Sequence, residues 1–230
     1  MRALILDCTP ADVDEADVEV ATRTMDEALA DRDIEVETLR IHDYDLQLPE
    51  HDSDHDNRWT DLRAKVLEAE ILLLASPASW LGEPPDEARL VLEGLDAMLG
   101  QENNTGSPAA NHVAGVVVSG DSEGGKLVLN EVTAALTRLG FTVPGRAATY
   151  LNAVALRDAP PAVRDSFRRP GDDAAANLVA VAKALEATPM PTEPDDGDDP
   201  GVRQIAPPET PIAKSLKALA AQPRPAAASA

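Results

Sequence analysis

The chain predicts an α/β domain built on a five-stranded parallel sheet with helices on both faces. The first reason lies in residues 70–85, EILLLASPASWLGEPP. Ile71, Leu72, Leu73, Leu74 and Ala75 form an unbroken apolar run of strand length. Such a run suits a strand covered on both faces, the central strand of a parallel sheet. The second reason is that strand-length runs alternate with amphipathic helical segments five times, and right-handed crossovers then distribute the helices over both faces. The central run stops at Ser76-Pro77 and is followed by Trp80, Gly82, Pro84 and Pro85. Ligands in open α/β sheets sit beyond the carboxyl ends of central strands, so this loop is the first place to look for function.

Taken in order, Ala3 to Leu6 is a short apolar run that ends in Asp7-Cys8-Thr9-Pro10 and reads as a first buried strand. Between Asp14 and Arg32, Val18, Ala21, Met25, Ala28 and Leu29 recur at three and four residues, the spacing of a helix with one buried face. From Ile34 to Ile41, Ile34 and Val36 alternate with Glu35 and Glu37, as an outer strand would. Trp59, Leu62, Val66 and Ala69 trace a second helix, capped by Asp56 or Asn57, that feeds the central strand. Ala88, Val91, Leu92, Leu95, Met98 and Leu99 outline a third, which Gly100 can end. Val113 to Val118 is another β-branched run, closing at Ser119 to Gly125, SGDSEGG. A fourth helix turns Leu129, Val132, Leu136 and Leu139 inward and stops at Gly140. The fifth strand falls within 141–151, and a last helix spans Asp173 to Glu186 with Leu178, Val181, Ala182 and Leu185 inward. Two strand orders fit this alternation, 2-1-3-4-5 and a Rossmann variant.

Composition bounds the rest. At 230 residues and 43% hydrophobic content the chain supports one core domain, residues 1–187, followed by a tail, 188–230. The formal net charge is -21, and only five of the 20 basic residues are lysine. Such a surface repels phosphate backbones and anionic lipid, and the chain carries no local basic patch, so neither nucleic acid nor a membrane is expected as partner. High Asp and Glu with little Lys suits a salt-rich cytoplasm, although a high-GC codon bias yields the same letters. Cys8 is the only cysteine, which excludes an intrachain disulfide. The start, MRALILDC, lacks the apolar core of a signal peptide, and no apolar run approaches membrane-spanning length, so a soluble cytoplasmic protein is expected.

Two polar segments need separate readings. Between His42 and Asn57, His42, His51 and His55 stand among aspartates, and the four-residue spacing of His51 and His55 could clip a metal on a helix. Pro49 and the aspartates oppose a helix there, so an acidic solvated loop is expected and no metal is assigned. Nine of the 19 prolines lie after Thr188, together with Asp195, Asp196, Asp198 and Asp199. That segment cannot bury enough apolar surface to offset its ordering entropy and is expected to be a flexible tail. Within it, Ile212, Leu216 and Leu219 share a helical face beside Lys214 and Lys217, so residues 210–222 are a candidate docking helix for a partner.

The segment from Trp59 through Gly82, with its R-x-K-V-L-x-A-E-I-L-L-L-A-S-P run and W-L-G, resembles the flavodoxin-like NADPH-dependent FMN reductase family. G-D-S-E-G-G (Gly120 to Gly125), L-G-F-T-V-P (Leu139 to Pro144) and T-Y-L-N (Thr149 to Asn152) are similar to further segments of it, and the resemblance covers residues 1–186. It implies a flavodoxin-like three-layer sandwich with strand order 2-1-3-4-5, a homodimer, and a flavin-dependent NAD(P)H oxidoreductase. Such an enzyme passes hydride from NADPH or NADH to FMN, and then to a small-molecule or flavin acceptor. It also implies that two loops line the flavin ring: Pro77, Ala78, Ser79, Trp80, Leu81 and Gly82 in the first, and Ser119, Gly120, Asp121, Glu123 and Gly124 in the second. A flat ring needs close backbone approach, which glycine permits, and an apolar wall, which Trp80 could supply. Trp80 reads equally well as a half-buried loop anchor or an interface residue. The flavin does the chemistry, so no catalytic side chain is assigned.

The first loop departs from the family. Flavin phosphate is held there by a helix N-terminus with several hydroxyl or amide side chains. Here the loop runs Thr9, Pro10, Ala11, Asp12, Val13, Asp14, Glu15, Ala16, Asp17, with Thr9 as the lone hydroxyl among four carboxylates. One carboxylate about 4 Å from a phosphate charge costs on the order of 4 kcal/mol at an effective dielectric of about 20. A helix end returns roughly 0.3–1 kcal/mol. Tight FMN binding is therefore not expected; a weakly held or exchanged flavin, a different ligand or none at all fits this loop, and a non-catalytic flavodoxin-like module in assembly or sensing is the alternative. Gly120 to Leu127, GDSEGGKL, also matches part of a phosphate-binding P-loop. Leu127 replaces the magnesium-holding hydroxyl, and Asp121 and Glu123 repel phosphate, so nucleotide hydrolysis is not expected; Lys126 belongs at the helix start.

Overall fold

β3 (Ile71–Pro77) is the middle strand of an all-parallel sheet of five. The computed structural model describes residues 1–11, 15–44, 46, 57–78, 82–99, 107–120, 124–151 and 161–191. The other strands are β1 (Arg2–Asp7), β2 (Glu35–Arg40), β4 (Val113–Ser119) and β5 (Ala148–Leu151), in the order β2-β1-β3-β4-β5. Of the two orders compatible with the alternation, the chain adopts the flavodoxin-like one. The helices are α1 (Glu15–Ala30), α2 (Asn57–Glu68), α3 (Asp86–Leu99), α4 (Gly124–Arg138) and α5 (Pro161–Ala187).

The unbroken apolar runs of β3 and β4 have a direct cause: successive side chains enter two separate cores. Leu4, Leu6, Leu72, Leu74, Val116 and Val118 face Trp59, Leu62, Val91, Leu95, Val128 and Val132 from α2, α3 and α4. Ala3, Ile5, Ile71, Leu73, Val113 and Val117 face Met25, Leu29, Ala175 and Leu178 from α1 and α5. Each fully buried Leu or Ile here contributes roughly 1.5–3 kcal/mol relative to exposure. Edge strand β2 is half-buried on both faces, with Val36 against the α1–α5 core and Leu39 against the α2–α4 core, while Glu35, Glu37 and Thr38 are exposed; the expected alternation holds only through Glu37. It ends a residue earlier than its pattern suggests, because Ile41 opens a short 3-10 turn (Ile41–Tyr44) and drops its side chain into the α2–α4 core.

Helix ends follow local chemistry. After α4, Phe141 N–H donates to Leu136 O at 3.2 Å and Gly140 N–H to Thr137 O at 3.1 Å, with Gly140 at φ +101°, a Schellman stop where glycine was expected. α1 ends the same way without a glycine. Ile34 N–H donates to Leu29 O at 3.2 Å and Asp33 N–H to Ala30 O at 3.0 Å, and Asp33 itself takes φ +60°. α2 begins at Asn57, and the other candidate cap, Asp56, lies outside the described residues.

Two expectations need correction. The inward face of α4 includes Val128, fully buried, whereas Leu129 is only partly so. Both positions satisfy helical spacing from Val132, and the sheet selects one. The last helix starts at Pro161, twelve residues before Asp173, and runs through Pro170. A proline in a helix interior removes one hydrogen bond and crowds the preceding turn. Tertiary contacts hold the continuation. Gly171 packs so tightly on α1 that a Cβ there would lie 2.9 Å from Thr24 Cγ2. Arg32 Nη2 donates to Asp172 O at 3.1 Å, and Arg168 pairs with Glu27. Beyond α5, the Asn111 side chain holds the Met190 backbone from both sides, accepting its N–H at 2.6 Å and donating to its carbonyl at 3.2 Å. Residues 192–230, including the candidate docking segment 210–222, lie outside the described residues.

Candidate functional site

Because the strands are parallel, all their carboxyl ends reach one rim, and there β3, β4 and β5 are joined beyond their last register pairs. Ala78 N–H donates to Ser119 O at 2.6 Å, and Gly120 N–H donates to Leu151 O at 3.2 Å. The Tyr150 hydroxyl donates to Gly120 O at 2.6 Å. Glycine is required at two points of this seam. Gly120 sits at φ +149°, and a Cβ on it would fall 2.7 Å from Ala78 Cβ. Gly82 sits at φ +78° against the N-terminal turn of α4, where a Cβ would meet Leu127 Cδ1 at 2.5 Å.

The two loops singled out in the sequence therefore converge. Pro77 and Ala78 of the first meet Ser119 and Gly120 of the second, and Gly82 of the first packs on Leu127 of α4, the helix that Gly124 opens. Ser79, Trp80, Leu81, Asp121 and Glu123 lie outside the described residues. Ser119 is buried, and among the described residues its Oγ has no hydrogen-bond partner. Lys126 is exposed in the first turn of α4, at the helix start as expected. Gly125, Leu127 and Tyr150 have packing roles at this edge that the sequence motifs containing them do not indicate. A Cβ on Gly125 would come 2.5 Å from Tyr150 Cε2, so this glycine lets α4 close on β5. Leu127 stays 59% exposed while it covers Gly82. Tyr150 belongs to the T-Y-L-N segment, but the carbonyl it bonds is 30 residues away in sequence.

At the neighbouring exit of β1 the chemistry is anionic. The Asp7 carboxylate accepts both the Thr9 amide, at 3.0 Å, and the Thr9 hydroxyl, so both donors of Thr9 are held by a side chain of the same loop. Thr9 is buried. Cys8 between them is buried too, its amide bonded to Ala75 O at 2.8 Å. Burial first, then the charges of Asp7 and Glu87, push its thiol well above the usual range, so it stays protonated and is no nucleophile.

Between the exits of β1 and β3 lies an open crevice of about 510 Å³, lined by Pro10 and Ala11, by His42, and by Glu83 to Glu87 with Arg89. This is the switch point of the sheet, where β2 and β1 lie to one side and β3 onward to the other. Three carboxylates, Glu83, Asp86 and Glu87, face two basic side chains there, and Arg89 is tied to Asp86 at 2.5 Å. Among the described residues no group of three or more His, Cys, Asp or Glu could hold a metal ion, and no helix is long and apolar enough to cross a membrane. His51 and His55 lie outside the described residues.

The sequence model of NADPH-dependent FMN reductases matches residues 16–155, more than half of the chain. An 8-demethyl-8-aminoriboflavin-5'-phosphate synthase from Streptomyces davaonensis is 33% identical over 129 residues. That alignment covers 51% of this chain and 49% of the synthase, so the chain spans about half the length of this relative. Among solved structures, RosB with the bound intermediate 8-demethyl-8-formylriboflavin-5'-phosphate superposes with a TM-score of 0.68 at 26% identity, covering 84% of this chain and 83% of RosB. FerB, an NAD(P)H:acceptor oxidoreductase from Paracoccus denitrificans, shares the fold with a TM-score of 0.60 at 12% identity, over 78% of this chain and 97% of its own.

Proposed function

This chain belongs to the NADPH-dependent FMN reductase family, and on that premise we propose that it is a flavin-dependent oxidoreductase drawing hydride from NADPH or NADH. The observation that carries the reading is the seam between β3 and β4: the Ala78–Ser119 bond fixes the two loop roots, and Gly120 and Gly82 remove side chains where a flat ring must approach backbone. The likeness to a synthase of an aminoriboflavin phosphate supports a flavin as the ligand of this edge. When bound, a flavin would supply the redox chemistry, hydride transfer between nicotinamide and an acceptor. This chain's part is to position the ring, with no side chain acting as acid or base.

The residues fit the two halves of FMN differently. The glycine-bearing edge suits the ring, whereas the exit of β1 does not suit the phosphate, because Asp7 already occupies the donors of Thr9. The Asp7–Thr9 pair favours a second reading, a non-catalytic module with a role in assembly or sensing. Titration of the purified protein with flavins, followed by visible absorbance at low and at molar salt, separates the two. A spectral change that saturates, together with flavin-dependent NADPH oxidation, supports the enzyme. No change at either salt overturns it.

A further inference from the structure

Resting on the flavin reading above, we propose that the site selects a flavin that lacks the terminal phosphate, a riboflavin-class ring system with an uncharged side chain, and that Asp7 is the residue that sets this selectivity. The place for an anion in this fold is the turn after β1, where backbone amides and the amino end of the next helix converge. Here that turn already holds an anion of its own. The Asp7 carboxylate, the last residue of β1, receives the Thr9 N–H and the Thr9 hydroxyl. Pro10, the next residue, has no N–H to offer.

Charge in the same segment reinforces the assignment. From Asp7 to Thr22 there is no Lys or Arg, while Asp12, Asp14, Glu15, Asp17 and Glu19 add further negative charge by sequence. Among the described residues Arg40 stands opposite Asp7 in the β1–β2 register, and Arg89 and His42 line the crevice beside Pro10 and Ala11, Arg89 being tied to Asp86. Against these cations stand Asp7, Glu83, Asp86 and Glu87, so the corner carries no surplus of positive charge for a dianion. A phosphate entering here must displace Asp7 from Thr9 and then remain beside it. A hydroxyl-terminated chain meets neither demand, and it can share the same acceptor.

The test is equilibrium binding of riboflavin and of FMN, read by flavin fluorescence, to the full chain and to Asp7→Asn and Asp7→Ser, with circular dichroism confirming that each variant is folded. Riboflavin is expected to bind the unaltered chain at least about tenfold more tightly than FMN at low salt, and the gap should narrow in molar salt as charge is screened. Asp7→Asn keeps an acceptor oxygen and removes the charge, so it should raise FMN affinity severalfold and shrink the riboflavin-to-FMN ratio by the same factor or more; Asp7→Ser should act in the same direction, and an unchanged ratio in both folded variants would overturn the role of Asp7. FMN binding as tightly as riboflavin at low salt overturns the selectivity while leaving the flavin reading intact. Binding of neither flavin overturns both.

Discussion

The indole of Trp59 in α2 lies flat against the backbone of Gly94 in α3: a Cβ at position 94 would fall 2.0 Å from Trp59 Cη2 and 2.3 Å from Cζ3. Trp59 is 3% exposed and walled in by the core above the sheet, so it has nowhere to retreat. Alanine is the better helix former by about 1 kcal/mol, yet Gly94→Ala should destabilise by roughly 1–3 kcal/mol, the usual range for overpacking a filled core. Denaturant unfolding measures the difference, and an unchanged midpoint would contradict the packing.

Gly120→Ala meets two obstacles, a φ of +149° and the Ala78 Cβ. The substitution should part the roots of the two loops. Flavin binding, followed by absorbance, is expected to weaken at least about tenfold, with a stability loss of roughly 1–3 kcal/mol. Retained affinity would separate the seam from the ligand edge.

Asp33 ends α1 in the left-handed region at φ +60°. Glycine reaches that conformation without the Cβ penalty, so Asp33→Gly should stabilise by up to about 1 kcal/mol. A thermal melt that falls instead would show that the exposed carboxylate contributes something else to the turn.

Glu70 gives an acid-side prediction. Partial burial pushes its carboxyl up, but the amides of Arg2 (2.5 Å) and of Glu70 itself, together with the amino terminus and the Arg2 charge, outweigh burial and hold it below the usual value. A group lowered in the folded state adds stability that is fully present above its unfolded pKa and disappears as pH falls through the folded one. Glu70→Gln should therefore flatten the acid limb of a melting-temperature profile and lower the plateau at neutral pH. Parallel profiles for the two proteins would refute this.

Much of the architecture was legible in the letters. Ile71 to Ala75 and Val113 to Val118 carry no alternation because helices press on both faces, and that fact alone implies parallel strands and crossovers. The spacing of Leu62 and Val66, or of Val91 and Leu95, reports a buried stripe for the same local reason: side chains one helical turn apart share a face. The positions of the two loops beyond β3 and β4 follow from the strand order and the segments shared with the family.

Other features depend on atoms far apart in sequence. α5 passes through Pro170 because Gly171 is packed on α1 and Asp172 is held by Arg32 in the turn after it, contacts that no local propensity contains. Val128 is buried in preference to Leu129 because the sheet lies on one side of two equally spaced positions. The pairing of Tyr150 with Gly120, and the capture of Thr9 by Asp7, turn on hydrogen-bond directions that a list of residues does not record. What the sequence by itself determined was which faces avoid water, since hydrophobic periodicity is additive and local. Tertiary structure alone decided which backbones touch and which donors are already taken, since close packing and hydrogen bonding depend on distances of a few tenths of an ångström between distant parts of the chain.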